Sequence, residues 1–120
     1  VLPVCLERNV GVIGMKSLGG NPYGPIGRIP TKTKITAEEC IRYALSFPVS
    51  TLCCGIMTMD DLKQDVSIAR GFKPLSDDEK GRLLSLAAAE GSDGRHELFK
   101  STNRFDGSHH RKQHDFPLDA

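Results

Sequence analysis

Two short apolar runs, each followed by a helix-start signal, limit most strongly how this 120-residue chain can fold. Residues 10–15 and 49–56 have the composition of buried strands. Thr36 with Glu39, and Ser76 with Glu79, form the capping-box pattern that begins a helix, and Thr58 is a further N-cap residue. Strands that alternate with helices favour parallel pairing through crossover connections, so the sequence predicts an α/β fold.

The predicted elements follow a fixed order along the chain. They are a helix end at residues 2–8, a strand at 10–15, a long loop at 19–33, a helix after Thr36 that Pro48 stops, a strand at 49–56, and helices at 59–70 and 77–90. Because two strands do not make a stable sheet, we expect most of the sheet to lie upstream of Val1. The opening residues have no Met and no leader, and they favour a fragment that starts within a helix.

Apolar spacing predicts the buried face of each later helix. In the helix at 59–70, Leu62, Val66 and Ala69 are expected to face inward, and in the helix at 77–90 the corresponding residues are Leu83, Leu86 and Ala87. From residue 95 onward the composition is polar, which predicts an extended tail held at 97–99 and Phe105 and frayed beyond about Gly107.

Charge and cysteine content exclude several classes of protein. Sixteen Lys and Arg against fifteen Asp and Glu give a net charge of +1, which offers no electrostatic case for nucleic acid or an anionic membrane. No apolar run approaches the ~20 residues of a membrane span. Adjacent Cys53 and Cys54 do not form a disulfide framework, since neighbouring strand side chains point to opposite faces. Reduced thiols packed in the core, and a cytoplasmic location, are the predicted interpretation.

The tail histidines offer a metal-binding alternative. His109, His110 and His114 include a pair four apart, which could share an ion on a helix. Their neighbours are polar and without apolar periodicity, so we expect no helix there and no metal site.

The strand at 10–15 runs directly into a cation and a pair of glycines. Lys16 is followed by Ser17 and Leu18 and then by Gly19 and Gly20. Glycines let backbone amides approach phosphate oxygens, and Lys16 adds a point charge, so this segment is a candidate phosphate loop. The competing interpretation is that the glycines only turn the chain and that Lys16 is solvated.

Several segments together resemble one enzyme family. The strand and loop GVIGMKSLGG, the helix TAEECIRYALS, the strand that ends at Gly55, the helix MDDLKQD and the tail DGRHELFK with FDG are similar to the C-terminal part of the aldo/keto reductase family, in its bacterial oxidoreductase subgroup. The family is a (β/α)8 barrel that transfers hydride between a nicotinamide cofactor and a carbonyl or alcohol. The resemblance implies that residues 1–92 hold strands seven and eight with their following helices, in an incomplete barrel, and that 93–120 form the tail.

The resemblance also implies a two-part cofactor site. Met15 takes the position beside the nicotinamide, and Lys16, Ser17 and Leu18 form the pyrophosphate loop. The second part begins with Gly55, Ile56, Met57 and Thr58 and continues with Asp61, Gln64 and Asp65 toward the adenosine. The family's catalytic Asp, Tyr, Lys and His fall outside this chain, so the resemblance implies no catalytic residue here.

Two positions depart from the family pattern. Asp61 stands where an Arg or Gln is usual, and Asp65 stands where an Asn is usual. A carboxylate repels the 2′-phosphate of NADP but accepts a hydrogen bond from a ribose hydroxyl, which disfavours NADP, whereas Lys63 or Arg70 could supply the missing cation. Both NADP and NAD therefore stay open as cofactors. Acidic residues in a first helical turn are also favourable simply against the helix dipole.

The sequence thus supports two hypotheses of function. In the first, the chain is the cofactor-contacting segment of an aldo/keto reductase-like oxidoreductase that acts on a small carbonyl substrate. In the second, it is a non-catalytic truncated barrel fragment that serves as a binding or interaction module. By itself, the fragment is expected to expose apolar strand surface and to self-associate.

Overall fold

The computed structural model describes residues 1–20, 27–93, 108–113, 115, 117 and 118. The chain divides into two compact units, Val1–Ala87 and Ala88–Ala120. The elements are α1 (Leu2–Glu7), β1 (Ile13–Gly14), α2 (Arg28–Lys32), α3 (Ala37–Leu45), β2 (Thr51–Leu52), α4 (Met59–Arg70), α5 (Asp77–Gly91) and α6 (Ser108–Gln113).

The two strands pair in parallel, as predicted. Ile13 lies opposite Thr51 and Gly14 opposite Leu52. Both strands are much shorter than the predicted runs at 10–15 and 49–56. Each strand has only the other as a neighbour in the described part of the chain, and Ile13 is 67% exposed. The prediction of exposed apolar strand surface for this chain by itself is therefore confirmed. The predicted burial of β1 depends on further neighbouring strands, so it stays a prediction.

Side-chain caps begin the three longest helices. The Thr36 hydroxyl accepts from the Glu39 amide at 3.2 Å, and the Glu39 carboxylate accepts from the Thr36 amide at 2.8 Å. Ser76 and Glu79 make the same exchange before α5. These bonds satisfy amides that have no partner within the helix, so the helix starts follow from the local sequence.

The core of the first unit lies where α3 and α5 meet the segments before them. Its buried members are Ile35, Cys40, Leu75 and Leu83. Leu86 and Ala87 pack against this cluster, which confirms the predicted core face of α5. Leu18 and Ile29 also pack against it, so the segment after β1 is tied to the core.

The structure corrects the predicted inner face of α4. Ile68 is buried, whereas Leu62 and Val66 are more than a third exposed and Ala69 is exposed. The inner row of α4 consists instead of Asp61, Asp65 and Ile68, spaced four and three residues apart. This row is not the most apolar one of α4, and α4 packs against α3.

Two further predictions are wrong in part. The segment at 19–33 is not a loop throughout, because residues 28–32 form α2; residues 21–26 of it lie outside the described residues. The tail is not extended throughout, because α6 contains His109 and His110. His114 lies outside the described residues, and so do both predicted anchors of the tail, residues 97–99 and Phe105. Within the described ranges, no helix is long and apolar enough to cross a membrane.

Candidate functional site

A cavity of about 520 Å³ opens at the carboxyl ends of the two parallel strands. The turn that follows β1 and the segment that follows β2 form two of its walls, and the first turns of α4 form a third. Pro30 from α2 and Ala37 and Ile41 from α3 complete the lining. Parallel strands bring their carboxyl ends to the same edge of a sheet, which explains why segments distant in sequence meet here.

The cavity collects eight of the eleven residues predicted for the cofactor site. They are Lys16, Ser17, Leu18, Gly55, Met57, Asp61, Gln64 and Asp65. Met15, Ile56 and Thr58 do not line it. Met15 is 68% exposed, Ile56 is exposed, and Thr58 acts as the N-cap of α4.

The turn after β1 has an unusual backbone. Lys16 has a φ of 57°, in the left-handed region that residues with a Cβ avoid, and Gly19 and Gly20 have φ values of 78° and 61°. The Gly19 amide donates to the Lys16 carbonyl at 2.8 Å and closes the turn. Ser17 and Leu18 lie between Lys16 and Gly19 in this turn. Their backbone amides donate to no group in the described part of the chain. This turn therefore presents two backbone donors beside a lysine.

The start of α2 holds this turn in place. The Ile29 amide donates to the Leu18 carbonyl at 3.1 Å. Gly27 is buried, and a Cβ at Gly27 would collide with the backbone of Leu18. The sequence predicts a loop here, because the run of Gly and Pro gives no signal of a helix, so Gly27 and Pro30 were not predicted as parts of the site.

A capping box closes the amino end of α4. The Asp61 amide donates to the Thr58 hydroxyl at 3.1 Å, and the Asp61 carboxylate accepts from the amides of Thr58 at 2.8 Å and Met57 at 3.1 Å. Hydrogen bonds from the Thr58 side chain and from the two amides lower the pKa of Asp61. Asp61 is thus held as an anion at the helix start.

Two cysteines also line the cavity. Cys53 is exposed and Cys54 is half-buried, so the interpretation of both as core residues is wrong. The two cysteines differ in exposure because neighbouring side chains of an extended segment point to opposite faces. Burial raises the pKa of Cys54, and the neighbouring Asp65 carboxylate raises it further. All four cysteines of the chain are free thiols.

The charged lining of the cavity is mixed. Among its described lining residues, Lys16 is the one cation, and Asp61 and Asp65 are the acids. Asp60, next to Asp61 in sequence, lies outside the cavity and pairs with Lys63 at 3.3 Å. The described residues hold no group of three or more His, Cys, Asp or Glu that could bind a metal ion.

A second cavity, of about 210 Å³, has an apolar lining that includes Ile35, Cys40 and Leu83. Ser17 and Tyr43 are the residues with a hydroxyl group among its described lining residues, whereas the larger cavity combines an apolar wall with several charged and polar groups. That combination is typical of sites for small molecules and cofactors.

Comparison with known proteins adds no relative. The chain matches no protein-family model, and neither a curated protein nor a solved structure gives a significant match.

Proposed function

We propose that this chain is the cofactor-contacting segment of an oxidoreductase similar to the aldo/keto reductases, and that its larger cavity holds part of a nicotinamide dinucleotide. The observation that carries the proposal is the meeting of two segments that follow two neighbouring parallel strands. Lys16, Ser17 and Leu18 lie on one side, and the segment from Gly55 to Asp65 lies on the other. Ligands of open parallel sheets bind at such an edge.

The residues present fit a dinucleotide. The cavity volume of about 520 Å³ falls in the range of about 300–1,000 Å³ that cofactor sites occupy. The amides of Ser17 and Leu18 and the ammonium of Lys16 are donors suited to a pyrophosphate. The left-handed backbone at Lys16 supports the same view, because strain in a residue with a Cβ is concentrated at functional sites.

The chain's own part in the reaction would be binding and orientation. A bound nicotinamide cofactor supplies or accepts the hydride. Lys16 would offset part of the pyrophosphate charge, the two amides would donate hydrogen bonds to its oxygens, and the start of α4 would orient the adenosine. The family resemblance assigns proton transfer to groups outside these residues, so no residue of this chain is proposed as catalytic.

Titration of NADH and NADPH into the full-length protein tests the proposal, with nicotinamide fluorescence as the readout. Lys16→Gln removes the cavity's cation and is expected to weaken binding of both nucleotides by about tenfold, the effect of losing roughly 1.4 kcal/mol. Lys34→Gln is the matched control, since Lys34 is exposed and does not line the cavity. Failure of both nucleotides to bind would exclude the proposal.

The second candidate function, a non-catalytic interaction module, is favoured by a different observation. Large apolar side chains are exposed on the first unit, among them Ile13 at 67% and Met57 at 76%. Exposed apolar surface of this kind favours association. Sedimentation of the full-length protein over a range of concentrations tests the interaction-module function. A protein that stays monomeric over that range and binds nucleotide would exclude this second function.

A further inference from the structure

The starts of α3 and α5 share one pattern that is longer than a capping box. In each, a hydroxyl residue is followed by a glutamate and then by an arginine at the same spacing: Thr36, Glu39 and Arg42 at α3, and Ser76, Glu79 and Arg82 at α5. Residues three apart lie on the same side of a helix, so each glutamate has an arginine of its own helix beside it. The ion pairs of the structure nevertheless join each glutamate to the arginine of the other helix.

The two oxygens of each glutamate carboxylate divide between the two helices. Oε2 of Glu39 accepts from the amide of its own N-cap residue at 2.8 Å, and Oε1 of Glu39 accepts from Arg82 on α5. In the same way, Oε2 of Glu79 accepts from its own N-cap amide at 2.7 Å, and Oε1 of Glu79 lies 3.9 Å from Nη2 of Arg42 on α3. Each carboxylate therefore begins its own helix and pairs with the other one.

The four charged side chains form a network. Hydrogen bonds from the N-cap amides, together with the charges of the arginines, lower the pKa of Glu39 and Glu79, so both are ionised at neutral pH. Arg42 also donates to the Lys73 carbonyl at 3.2 Å, which ties it to the segment before α5. The side chains are 22–54% exposed, and single ion pairs of that exposure contribute little, whereas charges joined in a network act together.

The first turn of α3 is also part of the wall of the larger cavity. Ala37 in that turn and Ile41 just after it line the cavity. Cys40 and Leu83, which directly follow Glu39 and Arg82 in sequence, belong to the same buried cluster. The charged network therefore borders the contact between α3 and α5 and acts on the turn that carries the cavity wall.

On these grounds we infer that Glu39, Arg42, Glu79 and Arg82 form a clamp between α3 and α5 that holds the α3 wall of the larger cavity in place. The clamp is reciprocal, because each capping box orders the glutamate that the arginine of the other helix binds. The start of α5 therefore stabilises the cavity wall, and the wall stabilises the start of α5 to the same extent. The inference concerns the conformation of the wall and holds for any ligand of the cavity.

Site-resolved hydrogen exchange of the full-length protein tests the clamp, because it reports the opening of each helix start separately. Arg82→Gln leaves both capping boxes intact, and it is expected to raise the exchange rates of the Glu39 and Cys40 amides about threefold, the effect of losing a partly exposed ion pair. Arg42→Gln is expected to do the same at the first-turn amides of α5. Lys63→Gln is the matched control, since it removes an ion pair within α4 and is expected to change neither helix start.

The crossed pattern distinguishes the clamp from a general loss of stability. Faster exchange by the same factor at both helix starts in each arginine variant would overturn the clamp, and so would unchanged exchange at the start of the opposite helix.

High salt provides a second test that needs no variant to fold. About 1 M NaCl screens charges more than about 3 Å apart, so it is expected to speed exchange at the starts of α3 and α5 in wild type. The capping box of Thr58 and Asp61 is the internal control, because no ion pair joins Asp61 to another helix in the described ranges. An equal response of all three helix starts to salt, or no response of α3 and α5, would overturn the clamp.

Discussion

Thr58 and Asp61 exchange hydrogen bonds across the first turn of α4, with the Asp61 amide donating to the Thr58 hydroxyl and the Asp61 carboxylate accepting from the Thr58 amide. The same carboxylate accepts from Met57, which belongs to the wall of the larger cavity. One side chain therefore starts the helix, fixes the end of the segment after β2 and places a negative charge at the candidate cofactor site.

The pH dependence of stability should report this cap. The pKa of Asp61 is lowered in the folded protein, so its stabilisation is complete above the unfolded value of about 3.9 and is lost as the pH falls through the folded value. Wild type is expected to melt at a higher temperature than Asp61→Asn near pH 6, and the gap is expected to close toward pH 2. Thermal unfolding of both proteins across this range is the measurement; a gap that stays constant down to pH 2 would contradict the assignment.

Lys16 should show a conflict between stability and binding. Its φ of 57° costs a residue with a Cβ about 1 kcal/mol or more, which glycine does not incur. Lys16→Gly is therefore expected to unfold at a higher denaturant concentration than Lys16→Ala, although glycine's larger unfolded-state entropy reduces the gain. Both variants lack the ammonium and are expected to lose NADH affinity to the same extent. Equal stability of the two would show that the backbone at Lys16 is not strained.

Gly27 should tolerate no side chain. A methyl group there would collide with Leu18, and overpacking of this kind costs about 1–3 kcal/mol. Gly27→Ala is expected to destabilise the protein in urea unfolding and to weaken NADH binding, because the turn that carries Ser17 and Leu18 must move. Gly81→Ala is the contrasting substitution, since Gly81 lies within α5 with open space around it and is expected to gain about 0.5–1 kcal/mol. Unchanged stability in Gly27→Ala would mean that the close contact with Leu18 does not exist.

The cysteines should react in a fixed order. Burial raises the pKa of Cys40 to about 11, and burial with the charge of Asp65 raises that of Cys54, while Cys53 is exposed. Because the thiolate is the reactive form, alkylation by iodoacetamide at pH 8 is expected first at Cys53, then at Cys54 and last at Cys40. Peptide mass spectrometry over time measures the order, and bound NADH is expected to slow the reaction of Cys53. Early modification of Cys40 would contradict its place in the core.

Local signals in the sequence predicted much of the helical structure. The bounds of α4 follow from the Thr58 cap and from Gly71 after Arg70, and the start of α5 follows from Ser76 and Glu79. Such caps are made by residues within one turn of each other, so they are visible without knowledge of the fold.

Features that depend on distant contacts were predicted less well. Apolar spacing predicts the most apolar row of α4 as its inner face, whereas the structure buries Ile68 and places Asp61 and Asp65 at the cavity. The wall formed by Pro30 and Ile41 was not predicted, because that wall exists only once α2 and α3 have folded against the strands. A polar inner row on a helix conflicts with hydrophobic patterning, and conflicts of this kind are expected at functional sites.

The segments after β1 and after β2 are proposed to form a single dinucleotide site. Amide NMR of the full-length protein, titrated with NADH to saturation, tests it most directly. In a single site, the amide signals of Ser17, Leu18, Gly55 and Met57 are expected to shift together along one binding curve, while the signal of Gly81 in α5 does not move. Shifts confined to one of the two segments, or no shift in either at saturating NADH, would contradict it.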